Sequence, residues 1–378
     1  MFFYIGNSPP LESLEKVSTD LYLDKGWNNK DFIWYKGYST DCKISDKLTD
    51  ILQGYQPAGK WCVIHDKKVH HPKLRGFPLW ELDTQLTNIK LDGFTFIRTE
   101  NLPPSDNVLL SLDDTASIIG DILLENTKNF FKYNDIDKIN VLFSGGLDTL
   151  TSWAVLDNIT KEYTLNAYVP KIQDIKSPLH VILGRIREYE SDLMTKVSND
   201  NWGYNISSFY INTNWYLTGY YAEVIQFRDA IAINALANYK GKQIDELAEP
   251  NDYLYWFLKR PVLDRFKHSM LQFDNDESLK KYLYDTILYD YQMWHFDNNM
   301  TFSPFFDVRI ADVMMRLSID DIINNALSGI IQRKIIERFN PQLLSILSDF
   351  KNEKNVFGNF VKNFKSIDID PKVNINIR

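Results

Sequence analysis

A short loop at residues 144–146 carries the residue types in this chain that are best suited to chemistry. It reads Ser144, Gly145 and Gly146. Two glycines let the backbone approach an anion because no Cβ atom stands in the way. A helix that starts here would aim its first N–H groups and the positive end of its dipole at the same point. The loop therefore predicts a cradle for a phosphate group.

The segments on either side of this loop predict the strand and the helix that such a cradle needs. Residues 139–143 are almost wholly apolar and partly β-branched, which is typical of a strand buried on both faces of a parallel sheet. Leu147, Leu150 and Ala154 then recur at helical spacing. An ordinary glycine-rich turn between a strand and a helix is the alternative interpretation.

Strands and helices alternate further along the chain. Residues 163–169 and 207–211 predict two more strands, with a helical stretch between them that contains residues 192–197. Residues 221–239 predict another helix. This alternation predicts an α/β fold with a doubly wound parallel sheet, which binds its ligands at the carboxyl edge of the strands.

The first part of the chain has a different pattern. Short aromatic or β-branched runs at residues 32–35, 61–64 and 95–97 lie between polar turns, so this part is predicted to be rich in β-strands. The linker at residues 101–107 contains two consecutive prolines and predicts a domain boundary. We therefore predict a smaller β-rich domain over residues 1–107 and a second domain over residues 108–378.

A helix is predicted to open the second domain. It spans residues 115–131, and either Ser111 or Asp113 is suited to cap its N-terminus.

Composition and charge narrow the classes of function. The chain has 378 residues and a net charge of −8, so its overall charge disfavours nucleic acid and anionic membranes and favours a small-molecule substrate. Cys42 and Cys62 do not form a disulfide framework, and no apolar run reaches the roughly 18 residues of a membrane-spanning helix. We expect a soluble, cytoplasmic protein, and a homodimer is compatible with these features.

The glycine loop resembles the Ser-Gly-Gly-x-Asp-Ser/Thr loop of the PP-loop ATP pyrophosphatases. Those enzymes hold the pyrophosphate of ATP while its α-phosphorus is attacked. The resemblance implies a fold like that of the adenine nucleotide alpha hydrolases, ATP and Mg²⁺ as cofactors, and Asp148 as a magnesium ligand. It also implies a set of residues that bind the nucleotide: Leu142, Ser144, Gly145, Gly146, Asp148, Thr149 and Val169.

Later segments resemble asparagine synthetases and β-lactam synthetases in the same order. Residues 302–313 resemble the Arg-x-Pro-Phe-Leu-Asp segment and the helix after it. Residues 334–338 resemble the Lys-x-x-Leu-Arg helix except at Glu337, which implies that Lys334 binds the nucleotide. Residues 350–358 resemble the Arg-x-Lys-x-x-Phe turn, which implies that Lys354 is catalytic, over the phosphates and the acyl-adenylate centre.

A loop of carboxylates completes this resemblance. Glu249 and Asp252 keep the spacing of the family's Ser-Gly-Glu-Gly-Ser-Asp-Glu segment, which implies a catalytic role for Glu249 and a magnesium-binding role for Asp252. Ala248 and Pro250 replace the two glycines, so this loop is expected to hold its ligand differently. A solvated acidic loop is the alternative here, as a solvated polar run is for Lys354.

The first domain resembles the glutaminase (N-terminal nucleophile) domain of asparagine synthetase. Residues 59–64 and 76–80 follow the order of two of its strand motifs. Glutamine hydrolysis in that family needs a cysteine directly after the initiator methionine, and this chain has Phe2 there. The domain is therefore expected to be a degenerate one without glutaminase activity.

Together these resemblances imply an ATP-dependent ligase. It would adenylate a carboxylate, release pyrophosphate, and transfer the acyl group to ammonia or an amine. The alternatives are a PP-loop enzyme that modifies a nucleic-acid base and a non-catalytic nucleotide-binding relic.

The role of Lys354 can be tested by substitution. We expect Lys354→Met to lower turnover about 10²-fold or more with a much smaller change in the Michaelis constant for ATP, because a cation over the phosphates stabilises charge that grows in the transition state. Lys351→Met is the matched control and should do much less. Steady-state kinetics of both variants check this, and the reverse ranking would assign the catalytic role to Lys351.

Overall fold

The computed structural model describes parts of the chain in separate ranges. The described residues are 3–5, 14–16, 21–24, 33–65, 68–70, 72, 95–96, 108–143, 146–160, 162–167, 215–219, 221–227, 230–242, 246, 273–285, 301–346 and 374–377. They form a mixed α/β structure with small antiparallel and parallel sheets. The predicted α/β class is confirmed at this level, whereas the predicted boundary at residues 101–107 lies outside the described residues.

Two small sheets occupy the first part of the chain. The first is antiparallel, in the order β1-β3-β2, and its strands are β1 (Phe3–Ile5), β2 (Leu14–Lys16) and β3 (Leu21–Asp24). The second has the strands β4 (Ile33–Ser39), β5 (Gly59–His65), β6 (Lys68–His70) and β7 (Thr95–Phe96) in chain order. Its neighbours pair antiparallel except β6 and β7. The strands predicted around residues 32–35, 61–64 and 95–97 are thereby confirmed.

A short helix lies between two strands of the second sheet in the chain, and a long helix follows the sheet. Between β4 and β5, a 3-10 turn at Ile44–Lys47 leads into the short helix α1 (Leu48–Leu52). After the sheet comes the long helix α2 (Leu112–Asn134), whose N-cap is Ser111. The Ser111 hydroxyl accepts a hydrogen bond from the Asp114 N–H at 3.1 Å, which satisfies one of the first-turn N–H groups. Ser111 is therefore the cap, and Asp113 lies inside the helix.

A five-stranded parallel sheet follows, with the strand of the glycine loop at its centre. The strands are β8 (Ile139–Phe143), β9 (Tyr163–Ala167), β10 (Trp215–Leu217), β11 (Thr301–Phe302) and β12 (Asn374–Ile377), in the order β11-β10-β8-β9-β12. Every neighbouring pair is parallel. The prediction for residues 139–143 is confirmed. The strand predicted over residues 207–211 lies outside the described residues, and β10 lies beside β8.

Seven further helices lie between or after the strands of this sheet in the described part of the chain. They are α3 (Leu147–Asp157), α4 (Glu223–Gln226), α5 (Ala230–Tyr239), α6 (Asp276–Asp285), α7 (Val308–Met314), α8 (Ile319–Ser328) and α9 (Ile330–Phe339), and a 3-10 turn at Pro341–Ile346 follows. Helices α2, α3 and α9 pack on one another. Within the described ranges, no helix is long and apolar enough to cross a membrane.

The continuous helix predicted over residues 221–239 is wrong. Helix α4 ends at Gln226, and Phe227 has a φ of 48°, which a right-handed helix cannot contain. The Phe227 side chain is buried in the core, so its packing outweighs the cost of this backbone conformation.

The second sheet docks on the parallel sheet through Tyr38. Its hydroxyl donates to the carbonyl of Ser303 at 2.9 Å and accepts from the Ser303 N–H at 3.2 Å. Its ring makes edge contacts with Phe130, Trp215 and Phe302 at centroid distances of 5.3, 5.9 and 5.1 Å. Because Ser303 directly follows β11, one side chain of the first part of the chain satisfies backbone groups at the edge of the parallel sheet.

The double hydrogen bond of Tyr38 predicts a measurable loss of stability. Tyr38→Phe keeps the ring contacts but leaves the buried Ser303 backbone without this partner, so the free energy of unfolding should fall by about 1–3 kcal/mol. Tyr35→Phe is the control, because that side chain is 41% exposed and its change should stay within about 0.5 kcal/mol. Urea denaturation compares the two variants, and equal effects would show that the Tyr38 hydroxyl does not hold this contact.

Candidate functional site

The candidate site is the start of helix α3, where the chain leaves the central strand β8. Gly146 is the N-cap, in an extended conformation with φ −86° and ψ 161°. Its carbonyl accepts from the Leu150 N–H at 3.1 Å and from the Thr149 hydroxyl at 3.2 Å. Asp148 lies in the first turn, where the positive end of the helix dipole favours a carboxylate. Ser144 and Gly145 lie outside the described residues.

The end of the neighbouring strand β10 reaches the same point. A Cβ atom on Gly219 would lie 2.5 Å from the carbonyl carbon of Asp148 and 2.5 Å from the nitrogen of Thr149. The Ser152 hydroxyl donates to the carbonyls of Thr218, at 3.0 Å, and of Asp148, at 3.2 Å. The loop after β10 therefore packs directly on the first turn of α3, and only a glycine at position 219 permits this approach.

Two buried glutamines bind the carboxylate of Asp148. The side-chain amide of Gln226, the last residue of α4, donates to Asp148 Oδ1 at 2.5 Å. The amide of Gln332, in the first turn of α9, donates to the same oxygen at 3.0 Å. Gln226 is 1% exposed and Gln332 is fully buried, whereas Asp148 is partly exposed. Because a carboxylate only accepts, the amide nitrogens must face it.

The helices that carry these glutamines are fixed by a third buried amide. Asn325, in α8, donates from Nδ2 to the carbonyl of Ile225 at 2.6 Å and accepts at Oδ1 from the Ile331 N–H at 3.0 Å. These two partners directly precede Gln226 and Gln332 in the chain. The amide of Asn325 thus ties the backbones of α4 and α9 together next to both glutamines.

The junction between α8 and α9 also packs on the start of α3. Gly329 has a φ of 64°, a conformation that favours glycine, and a Cβ atom there would lie 2.5 Å from Leu147 Cδ1. Leu147 is the first residue of α3 and is fully buried. A close backbone approach at Gly219 and a side-chain contact between Leu147 and the α8–α9 junction therefore position the first turn of α3.

Two oxygen groups near the start of α3 are of the chemical type that binds a magnesium ion. Mg²⁺ takes oxygen ligands and is usually held by one or two carboxylates together with substrate phosphates. Asp148 supplies a carboxylate, and the buried Gln332 Oε1 has no hydrogen-bond partner among the described residues. The described part of the chain contains no group of three or more His, Cys, Asp or Glu side chains arranged for a metal ion.

The other predicted site residues are placed as follows. Leu142 lies in β8, paired with Asn166 of β9. Lys334 lies on α9, and its Nζ is 2.6 Å from Asp113 Oδ1; this hydrogen bond raises the pKa of Lys334. The structure thus pairs Lys334 with the start of α2, while Gln332 on the same helix contacts Asp148. Four further residues lie outside the described ranges: Val169, Glu249, Asp252 and Lys354.

Three residues of this site were not predicted from the sequence: Gln226, Gln332 and Gly219. The two glutamines carry no local signal, because their contacts with Asp148 span 78 and 184 residues of the chain. Gly219 follows a short aromatic strand, and a glycine after a strand is the one signal that could have indicated a close backbone approach.

A scan of protein-family models finds no match to this chain, and a search of curated proteins finds none.

The close approach at Gly219 predicts the effect of adding a single methyl group. Gly219→Ala would place a Cβ atom against the backbone of Asp148 and Thr149, so we expect the free energy of unfolding to fall by about 1–3 kcal/mol or more. Gly241→Ala is the control: its Cβ would meet nothing within 4 Å, and only its φ of 65° would cost about 1 kcal/mol. Chemical denaturation of both variants measures the difference, and a smaller effect at Gly219 would contradict the packing described here.

Proposed function

We propose that this protein is an ATP-dependent, amide-forming ligase of the asparagine synthetase type. It adenylates a carboxylate substrate, releases pyrophosphate, and transfers the acyl group to ammonia or an amine, without hydrolysing glutamine. The observation that carries the proposal is the start of α3, where a carboxylate in the first turn follows a glycine N-cap at the end of a central parallel strand.

The order of the strands supports a ligand site at this point. After β8, the chain forms β9 on one side of it and β10 on the other. In parallel α/β sheets, ligands bind outside the carboxyl ends of the strands, where the strand order reverses. That position lies between β8 and β10, and Asp148 and Gly219 follow these two strands. Right-handed connections that run from β8 in opposite directions along the sheet would place helices on both of its faces. We therefore propose that this sheet is doubly wound, as in the PP-loop enzymes.

The chemistry of the first turn of α3 supports phosphate binding. The first N–H groups of a helix have no partners within the helix, and the helix dipole adds positive potential at the same end. These groups would orient the phosphates of ATP so that a carboxylate can attack the α-phosphorus in line with the departing pyrophosphate. Magnesium, when bound, would neutralise charge on the phosphates. Asp148 would hold it with its carboxylate, and Asp252 is the second proposed ligand.

Two residues outside the described ranges complete the proposed mechanism. Lys354 would stabilise the negative charge that grows on the phosphates and on the acyl oxygen when the amine adds, and Glu249 would act beside it. The motif spacing supports both assignments.

Two other functions remain as candidates. A PP-loop enzyme that modifies a nucleic-acid base is disfavoured by the net charge of −8, because such a protein gains much of its affinity from phosphate contacts with basic residues. A non-catalytic nucleotide-binding protein is favoured by Ala248 and Pro250, which replace glycines in the carboxylate loop.

The exchange of labelled pyrophosphate into ATP tests the proposed function. A screen of carboxylic acids should find one that supports exchange, and Asp148→Asn should then lower the exchange rate about 10²–10³-fold, because one group that stabilises the transition-state charge is lost. Asp121→Asn is the control: this residue forms a surface ion pair with Arg338, so its change should leave the rate unaltered. ATP binding without exchange for any acid would favour the non-catalytic alternative.

A further inference from the structure

Helix α9 directs two polar residues of its first half to opposite sides. Gln332 contacts the start of α3, with its Nε2 3.0 Å from Asp148 Oδ1. Lys334 contacts the start of α2, with its Nζ 2.6 Å from Asp113 Oδ1. Successive residues of a helix are rotated by about 100°, so these two positions lie roughly 200° apart and do not face the same ligand. Of the two, Gln332 is the residue that α9 presents to the candidate site.

Only one end of the Gln332 amide has a partner in the described part of the chain. A carboxylate accepts hydrogen bonds and does not donate them, so the amide nitrogen must face Asp148 and the remaining atom is the acceptor Oε1. This oxygen is buried and has no hydrogen-bond partner among the described residues. Gln332 is fully buried, so bulk water does not satisfy the oxygen either. Native structures keep few such groups, and a missing ion or a functional role is a recognised reason for one.

Gln226 offers a comparison within the same site. Its amide donates to the same oxygen of Asp148 at 2.5 Å, and the residue is 1% exposed. Within the described ranges, however, the buried side-chain oxygens without a partner are Oε1 of Gln332 and the hydroxyls of Thr40 and Thr115. Of the two amides at Asp148, the one with a buried unpaired oxygen is therefore that of Gln332.

The missing partner must bring a hydrogen-bond donor. Ionised phosphate oxygens only accept hydrogen bonds, so the phosphates of ATP are not suited to this position. Mg²⁺ that is bound to phosphates usually keeps several of its waters, and each of these waters can donate. A neutral amide oxygen beside a phosphate site therefore suits a water of the magnesium hydration shell.

We propose that Gln332 Oε1 accepts a hydrogen bond from a water of the magnesium ion that accompanies ATP, and that Lys334 takes no part in binding the nucleotide. This inference rests on the proposed function of the α3 start as a nucleotide site. It adds which residue of α9 contacts the ligand and through which atom. It also gives a reason for the buried oxygen without a partner, since that oxygen is paired when the metal binds.

The test compares Gln332→Met with Gln226→Met in the full-length protein. Each variant takes one donor from the same oxygen of Asp148, but only Gln332→Met also removes the buried oxygen without a partner. Lys334→Met tests the other side of α9. Calorimetry measures the affinity for α,β-methylene-ATP, first with saturating Mg²⁺ and then with EDTA, so that the ratio of the two gives the contribution of the metal. Urea denaturation without nucleotide measures stability.

Gln332→Met should weaken binding with Mg²⁺ about 10–100-fold, as is typical when a hydrogen-bond partner of a metal's ligands is removed, and should leave binding in EDTA unaltered. Gln226→Met should cause a clearly smaller loss with Mg²⁺. Lys334→Met should change neither affinity, because it breaks only a surface ion pair. Gln332→Met should also unfold at a higher urea concentration than Gln226→Met, because it removes an unpaired buried acceptor together with the donor.

The outcomes separate this inference from the proposed function. Equal losses in the two glutamine variants, a loss in Gln332→Met that persists in EDTA, a loss in Lys334→Met, or the reverse order of unfolding would overturn the inference, while nucleotide binding by the unaltered protein keeps the site. Absence of nucleotide binding by the unaltered protein would overturn the proposed function and the inference with it. Should Gln332→Met not fold, Gln332→Asn replaces it, since it keeps a buried amide but withdraws it by one methylene; an undiminished magnesium contribution in that variant would likewise overturn the inference.

Discussion

The first turn of helix α3 is the constraint on which the rest of this structure depends. The loop after β10 approaches its backbone so closely that only glycine fits at position 219, and the α8–α9 junction at Gly329 packs on the side chain of Leu147. The amides of Gln226 and Gln332 then meet on one oxygen of Asp148. Segments that are far apart in the chain are thus packed on one turn, and an added methyl group at Gly219 would move it.

A continuous set of contacts joins the first part of the chain to this turn. Tyr38 binds the backbone of Ser303, and the carbonyl of the preceding Phe302 accepts from the Thr218 N–H at 3.0 Å. The Thr218 carbonyl accepts from Ser152, which also binds the carbonyl of Asp148. The β-rich part therefore supports the edge of the parallel sheet next to the candidate site. This gives a structural reason for its presence that does not require glutamine hydrolysis.

Local patterns in the sequence predicted the local structure well. The apolar run at residues 139–143, the helical spacing after Leu147 and the serine at position 111 each encode their element within a few neighbouring residues, and all three are confirmed. The break at Phe227 was not predictable, because no glycine or proline marks it and burial of the ring decides it. The glutamines at Asp148 were not predicted for a related reason. The role of a buried polar side chain in a helix depends on its hydrogen-bond partner, and here that partner lies far away in the chain. The family resemblance led to α9 through Lys334, and the structure shows Gln332 as the residue of that helix that contacts Asp148.

We have proposed that the start of α3 binds the phosphates of ATP together with a metal held by Asp148. Its most direct test is a crystal structure of the full-length protein grown with magnesium and α,β-methylene-ATP, an analogue that cannot be cleaved at the α-phosphorus. We expect phosphate oxygens at the N–H groups of the first turn of α3 and a magnesium ion coordinated by the Asp148 carboxylate. Nucleotide bound at another edge of the sheet, or a magnesium ion held without Asp148, would contradict it.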